Sequence, residues 1–348
     1  MALLIPLAFN FGLAPTAALI LLVSVYYGCM YGGRISSIVL NIPGDEPAMM
    51  TTLDGYPMAR AGRGGEALGL SAVASFVGAT VATIGLTLFA PLLVKVAIRF
   101  GPAEYFALFV LAFATIGGVT SGSFTKSFIA ACLGLLLGTV GIDPVSSVAR
   151  YTFGWYELYD GIDYIVALVG LFAVSECLLF LERDRDKATA AMRIGSAIPG
   201  MRRSFACAPT IGRGSVIGFI SGVLPGAGAS LGSFLSYVLE KRWWGAKGKF
   251  GEGDPRGVAA PEAGNNAAAG GALIPMLSLG IPGSGTTAIL LALLLSMNIT
   301  PGPLLFEQQP DMVWGLVAAL FIGNVMLLVL NIPLVASSPR CSRHHPGS

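Results

Sequence analysis

Long runs without a charged residue alternate with short polar segments along this chain. The runs that contain no Asp, Glu, Lys or Arg cover residues 1–33, 67–94, 105–125, 214–239, 263–306 and 312–339. A helix needs about 20 predominantly apolar residues to cross a bilayer, and these runs are long enough. Apolar residues fill both faces, whereas a membrane β-barrel would need alternating polarity. The pattern predicts an all-α polytopic membrane protein.

The same pattern places the individual elements. An apolar stretch over 14–31 leads into a broken segment around Pro43 and Gly44, and a final helix covers 312–335. Between them the sequence predicts unbroken helices at 67–94, 105–121, 127–142 and 161–182, and broken segments at 214–239 and 266–296. The polar segment 183–213 carries seven Arg or Lys residues against two Asp, so the positive-inside rule places it in the cytoplasm.

Composition agrees with a membrane location. Hydrophobic residues make up 54% of the 348 positions and charged residues 11%, whereas soluble domains carry about 25% charged residues. These proportions exclude a soluble enzyme, a nucleic-acid-binding protein and a disordered chain. The five cysteines form no Cys-x-x-Cys pair, so neither a zinc site nor a disulfide framework is indicated. We expect no metal and no organic cofactor.

Glycine and proline lie inside the apolar runs instead of separating them. The chain has 46 Gly and 21 Pro, and together they interrupt a helix, which lipid tolerates where the break lines a protein-walled cavity. The run 214–239 lies between two basic segments, which puts both of its ends on one side of the membrane. Half-helices meeting at Pro225 and Gly226 would form a re-entrant hairpin. The alternative is an ordinary kinked span.

Two of the breaks share a sequence. Leu40-Asn41-Ile42-Pro43-Gly44 matches Leu279-Gly280-Ile281-Pro282-Gly283, and downstream Phe76-Val77-Gly78 matches Phe321-Ile322-Gly323. The predicted loop after the first break, 54–66, carries Arg60 and Arg63, whereas the one after the second, 297–311, has only Glu307 and Asp311. Inverted repeats with paired broken helices characterise secondary transporters. Chance similarity of two Pro-Gly kinks is the alternative.

The repeat divides the chain into four parts. A first transmembrane repeat covers 1–182, and a cytoplasmic connecting segment covers 183–213. A second transmembrane repeat covers 214–335, and a polar tail covers 336–348.

The breaks are the candidate substrate-binding site. The half-helix after a break exposes free N–H groups and a partial positive charge, which suit an anion, and hydroxyl groups add donors. Residues 263–306 contain no Arg or Lys, so an anion there would be bound by backbone dipoles and hydroxyls. We expect Gly226 and Gly283 to adopt positive φ. The candidates are Asn41, Pro43, Gly44, Pro225, Gly226, Gly228, Pro282, Gly283, Ser284, Thr286 and Thr287. Helix capping or inter-helix bonding is the alternative for the hydroxyls.

Four polar residues are candidates for a coupling ion or a gate. Glu262, Asn265 and Asn266 share one helix face and adjoin the longest apolar run. A membrane-proximal carboxylate is a functional candidate, and a solvated carboxylate at a helix start is the alternative. Asp54 lies in Asp54-Gly55-Tyr56-Pro57, where a capping role competes with a ligand role.

Three segments imitate enzyme motifs. Residues 228–232 fit a G-x-S-x-G nucleophile elbow, but the His residues that could serve as its base, His344 and His345, lie in the polar tail. Residues 280–287 are similar to a phosphate-binding loop without its lysine. The glycines at 226, 228 and 232 miss dinucleotide-binding spacing. None of the three supports catalysis, so we expect no enzyme.

Longer motifs resemble a known family. They are Tyr31-Gly32-Gly33, Asn41-Ile42-Pro43-Gly44, Leu53-Asp54-Gly55-Tyr56-Pro57-Met58-Ala59, Tyr151-Thr152-Phe153-Gly154, Leu224-Pro225-Gly226-Ala227-Gly228, Ala260-Pro261-Glu262-Ala263-Gly264-Asn265-Asn266-Ala267 and Pro301-Gly302-Pro303-Leu304-Leu305. In this order they resemble the large membrane subunit of tripartite tricarboxylate transporters, over about residues 1–335.

The resemblance implies an activity and partners. Members are carriers of citrate and related carboxylates in the bacterial inner membrane, driven by a Na⁺ or H⁺ gradient. They work with a small four-helix membrane subunit and a periplasmic solute-binding protein. A non-transporting channel or scaffold subunit, or an inactive fragment of the carrier, is the alternative.

Three features depart from the family pattern. The family has a further Leu-Pro-Gly segment upstream, so we expect the first repeat to be truncated, and residues 336–348 look unlike the family. Asp45 and Glu46 follow the first Pro-Gly, where the family has small or neutral residues. Two carboxylates there would repel an anionic substrate unless they face water or bind the coupling cation.

Overall fold

The computed structural model of the protein describes most of the chain. It covers residues 4–5, 11–111 except 105 and 108, 124–143, 148–162, 166, 167, 170, 174, 178, 198–225 and 228–337. These residues are almost all helical. Three helical segments are long and apolar enough to cross a membrane, Pro15–Leu40, Met49–Ala97 and Pro310–Asn331. The predicted all-α membrane fold is confirmed.

The N-terminal part begins with two helices separated by a break. Helix α1 is Pro15–Leu40 and α2 is Met49–Met58. A π-helical segment, Ala59–Arg63, joins α2 to α3, Gly64–Ala97. The predicted loop over 54–66 is therefore wrong, because the chain stays helical through the basic residues, with Gly62 at φ 78° providing a kink.

A short extended region follows the next helix. Helix α4 is Phe124–Gly138, and the strands β1, Gly141–Ile142, and β2, Ala149–Arg150, form an antiparallel pair. A 3₁₀ turn covers Tyr156–Leu158. The helix predicted over 127–142 thus ends at Gly138. The helices predicted at 105–121 and 161–182 lie largely outside the described residues.

The C-terminal part contains eight described helices. They are α5, Ile198–Ala206, α6, Ala208–Val223, α7, Gly228–Trp244, α8, Arg256–Gly271, α9, Leu273–Leu279, α10, Gly285–Ser296, α11, Leu305–Gln308, and α12, Pro310–Ser337. A 3₁₀ turn, Gly245–Lys247, follows α7. The broken segments predicted at 214–239 and 266–296 are confirmed, since helix is interrupted after Val223 and after Leu279. The tail beyond residue 337 lies outside the described residues.

Helix α8 is the centre of the fold. Every residue from Gly257 to Gly271 is buried, which follows from its small side chains. A Cβ at Gly218 or Gly222 of α6 would collide with carbonyl oxygens of α8, and so would one at Gly78 of α3. Glycine therefore allows α6 and α3 to pack backbone against backbone on α8, as small residues do in membrane helix pairs.

The two repeated break sequences have the same backbone conformation. Asn41 ends α1 at φ 57°, and Gly280 ends α9 at φ 70°, both in the left-handed region. The next amide reaches six residues back in each case, from Ile42 N–H to the Ser36 carbonyl at 3.4 Å and from Ile281 N–H to the Pro275 carbonyl at 3.3 Å. A residue in the left-handed conformation directly after the last turn is a common form of helix termination. Corresponding residues of the two motifs thus perform the same local task.

The downstream repeat residues also contact each other. The Asn324 amide of α12 donates to the Phe76 carbonyl at 2.9 Å and to Thr80 Oγ1 at 2.8 Å on α3. Phe76 and Phe321 are the matched positions of the two repeats, and Asn324 follows three residues after Phe321. The two helices that carry the matched residues are therefore hydrogen-bonded to each other close to those residues. The inverted orientation of the repeats stays a prediction, as do the proposed domain limits and the cytoplasmic side.

Candidate functional site

The second and third breaks meet. Gly228, at φ 64°, begins α7, and a Cβ there would lie 3.5 Å from Ser284 Cβ and 3.7 Å from the Gly283 carbonyl oxygen. Gly283 in turn faces Ala272, whose Cβ would lie 2.9 Å from a Cβ at Gly283. Pro225 is buried, Pro282 is half-buried, and Gly226 lies outside the described residues.

Glycine is required at these two positions for different reasons. Gly228 needs the left-handed conformation that side chains disfavour. Gly283 does not have positive φ, so that expectation was wrong. Gly283 is needed because it packs directly on Ala272. In the third break the positive φ belongs to Gly280, where the helix ends.

The first break does not join the other two. Asn41, Pro43 and Gly44 are exposed, so the structure does not enclose them with the other two breaks. The segment is nevertheless tied to the beginning of α7, because Ser233 Oγ donates to the Pro47 carbonyl at 2.7 Å. Gly44 folds back on α1, where its Cβ position lies 2.6 Å from Gly33 Cα.

Helix α10 begins at the third break with a capping box. Ser284 Oγ accepts from Thr287 N–H at 3.2 Å, and Thr287 Oγ1 accepts from Ser284 N–H at 2.8 Å. The capping interpretation of these two hydroxyls is therefore confirmed. Thr286 lies on the first turn, half-buried. The capping box fixes the direction in which the first N–H groups of α10 point.

A tyrosine that sequence reasoning missed faces this helix start. Tyr26 of α1 is 1% exposed, and its hydroxyl lies beside Ser284 and within electrostatic range of Asp45. Among the described residues, this hydroxyl has no hydrogen-bond partner of good geometry. A buried hydroxyl without a partner is costly. Its ring packs edge to face on Tyr27, with ring centroids 5.9 Å apart.

Glu262 of α8 lies in a buried polar cluster. Thr51 Oγ1 donates to Glu262 Oε1 at 2.5 Å, and Ser75 Oγ donates to Oε2 at 2.9 Å. Since Glu262 is fully buried, the alternative of a solvated carboxylate is wrong. Its hydrogen bonds link α8 to α2 and α3.

Arg34 of α1 supplies the opposite charge in this cluster. It is fully buried and acts electrostatically on Glu262. Its Nη1 donates to Ser75 Oγ at 3.3 Å, and its Nη2 donates to Asn331 Oδ1 at 3.4 Å. The guanidinium stacks over the Tyr31 ring, 4.4 Å from its centroid. Arg34 ends the first charge-free run, which is the sequence signal that could have identified it.

The two asparagines of α8 differ from Glu262 in their bonding. Asn266 Nδ2 donates to the Glu262 carbonyl at 3.1 Å, but Asn266 Oδ1 has no partner among the described residues. Asn265 is 1% exposed, and neither polar atom of its side chain finds a partner in the described part of the chain. Asn265 lies seven residues before Ala272, on the same helix face. Asn265 therefore lies on the face of α8 that, two turns later, contacts Gly283 of the third break through Ala272.

Asp54 has a structural position. Its Oδ1 accepts from the amides of Gly251, Gly253 and Asp254 at 2.8–2.9 Å, and its Oδ2 accepts from the Tyr237 hydroxyl at 3.0 Å. The carboxylate thus holds the loop before α8 and caps neither α2 nor α8, so the structure gives it a loop-holding role in place of the expected cap. Over the described residues, no group of three His, Cys, Asp or Glu side chains could hold a metal ion.

Comparison with known proteins places this chain in a family. The model of the tripartite tricarboxylate transporter TctA family matches residues 1–343. An uncharacterized 52.8 kDa protein in the TAR-I ttuC' 3' region of Agrobacterium vitis is 41% identical over 334 residues, which are 96% of this chain and 66% of that protein. An uncharacterized protein in the TAR-II ttuC' 3' region of the same organism is 45% identical over 118 residues, 34% of this chain and 49% of that protein. No solved structure matches.

Proposed function

Because this chain belongs to the tripartite tricarboxylate transporter TctA family, we propose that it is the multi-pass carrier subunit of a binding-protein-dependent secondary transporter. The substrate is citrate or a related carboxylate, and a Na⁺ or H⁺ gradient drives uptake across the bacterial inner membrane. The partners are a small four-helix membrane subunit and a periplasmic solute-binding protein. The chain transports and has no enzymatic activity.

One observation carries this proposal most directly. Two helix breaks meet at Gly228 and Ser284, where the capped start of α10 presents backbone N–H groups. A helix N-terminus favours an anion. Because residues 263–306 contain no Arg or Lys, backbone dipoles and hydroxyls bind the carboxylate, with Tyr26 as an additional donor. Moderate binding of this kind suits a carrier, which must also release its substrate.

Uptake of radiolabelled citrate by cells that lack other citrate carriers tests the proposed function. The chain is expressed together with a small membrane subunit and a periplasmic solute-binding protein of a transporter of this family. We expect citrate to accumulate above its external concentration, and we expect a protonophore or the replacement of Na⁺ by choline to abolish accumulation. Citrate that only equilibrates, with a rate insensitive to both gradients, would indicate a channel. No uptake of citrate, tartrate or succinate would indicate a scaffold or an inactive fragment.

A further inference from the structure

Asp45 lies in the first break, directly after Pro43-Gly44, and its carboxylate is packed against α1. The three carboxylate atoms lie 2.8–2.9 Å from the position a Cβ would take at Gly33. Glycine at position 33 therefore makes the space that the carboxylate occupies. Asp45 Oδ1 accepts from Ala48 N–H at 2.9 Å. Asp45 Oδ2 is buried and has no donor among the described residues.

The charges that act on Asp45 are unfavourable to a carboxylate. They are Glu46, its neighbour in the break, and Glu262 of α8, both acidic. Arg34 lies on the same helix as Gly33, but its charge acts on Glu262 and Tyr31. The third titratable group within electrostatic range of Asp45 is Tyr26 of α1. Its hydroxyl also lies beside Ser284 of α10. Asp45 therefore has no basic partner in the part of the chain that the structure describes.

The fully buried carboxylates of the described chain are compensated, unlike the buried Oδ2 of the half-buried Asp45. Glu262 has two hydroxyl donors and Arg34, and Asp54 has three amides and a phenol. Glu240 accepts from Arg213 at 2.6 Å, and Asp254 accepts from Arg256 at 2.6 Å. A buried carboxylate oxygen without such partners is costly as an anion, and the cost disappears when it takes a proton or a cation.

The charge on Asp45 also affects the proposed substrate site. Tyr26 of α1, 1% exposed, lies beside the N-cap Ser284 of α10 and within electrostatic range of Asp45. A negative charge at Asp45 opposes a carboxylate at the start of α10. Neutralising Asp45 removes the repulsion, so one positive charge and one carboxylate favour each other's binding.

We propose that Asp45 is the site at which a monovalent cation, a proton or Na⁺, is taken up together with the carboxylate substrate. The Asp45 carboxylate, whose Oδ2 has no donor among the described residues, is the group that either cation neutralises. The coupling rests on the proposed function, whereas cation binding at Asp45 does not. The two parts therefore need separate measurements.

Thermal unfolding of the purified full chain in detergent micelles tests cation uptake without any carboxylate. The wild type, Asp45→Asn and the control Glu46→Gln, at an exposed neighbouring carboxylate, are compared from pH 5 to pH 9 in NaCl or choline chloride. We expect the unfolding midpoint of the wild type at pH 8 to rise by about 2 °C or more on adding Na⁺ or on acidification. A response to Na⁺ identifies Na⁺, and a response to pH in choline alone identifies the proton.

Asp45→Asn removes the response, since its side chain is neutral at every pH, and Glu46→Gln keeps it. A response in Asp45→Asn as large as in the wild type, or no response in the wild type, overturns the proposal. A second arm uses citrate uptake. We expect Asp45→Asn to equilibrate citrate without accumulating it. If Asp45→Asn still accumulates citrate with the gradient dependence of the wild type, Asp45 is not the coupling site although the carrier function stands.

Discussion

We expect Arg34→Met to lower the free energy of unfolding by about 3–5 kcal/mol, the usual cost of leaving a buried charge without its compensating partner. Arg34 and Glu262 are both fully buried, and Ser75 Oγ joins them by accepting from Arg34 and donating to Glu262. Without Arg34, Glu262 keeps its two hydroxyl donors but loses the compensating charge. Equilibrium unfolding in mixed micelles, followed by helical circular dichroism, measures the effect.

The double variant Arg34→Met with Glu262→Gln is the matched control. Gln can still accept from Thr51 or Ser75, and no charge remains buried, so the double variant should recover most of the stability lost in Arg34→Met. Replacing a whole buried pair is often nearly neutral. If the two substitutions add without recovery, the two side chains do not form a functional pair in the membrane.

The second large effect is expected at the third break. Gly283→Val should reduce citrate transport by about 100-fold while leaving membrane insertion unchanged, because insertion depends mainly on apolarity. A Cβ at Gly283 would lie 2.9 Å from Ala272 Cβ. The break must therefore move away from α8, which displaces Ser284 and the first N–H groups of α10.

Gly28→Val is the control for Gly283→Val. Gly28 lies within α1, and a Cβ there would meet no atom within 4 Å. The same substitution should therefore leave transport near the parental rate. Uptake is normalised to the amount of protein in the membrane fraction. Parental transport in Gly283→Val would show that this break is only a kink.

Local sequence features predicted the helices and their breaks. The charge-free runs fixed the long apolar helices, and the shared motif at Asn41 and Gly280 located two equivalent helix ends. Ser284 and Thr287 are three residues apart, the spacing of a capping box, and they form one. These features depend on residues that are neighbours along the chain, so they can be predicted from the sequence.

Features that depend on packing between helices were not predicted. Arg34 and Glu262 are far apart in sequence and are linked through Ser75 only because α1, α3 and α8 pack together. Tyr26 lies in an apolar run, and only the packing of α10 against α1 shows that its hydroxyl lies beside Ser284. The segment 54–66 looks like a loop because Arg60 and Arg63 lie between two apolar runs. Its residues nevertheless continue a helix, in which Arg63 pairs with Glu66 at 2.8 Å. Gly283 is required by contact with Ala272, which a rule about φ cannot show.

Cysteine labelling at Ser284 tests the central claim, that the carboxylate binds where the second and third breaks meet. The five native cysteines are replaced by serine, and Ser284→Cys is labelled with a small membrane-permeant thiol reagent in active membranes. Thr300→Cys, exposed beyond the end of α10, serves as the reference. We predict that citrate slows labelling of Ser284→Cys severalfold and leaves Thr300→Cys unchanged. Labelling of Ser284→Cys at the same rate with saturating citrate, in membranes that transport it, would contradict the account.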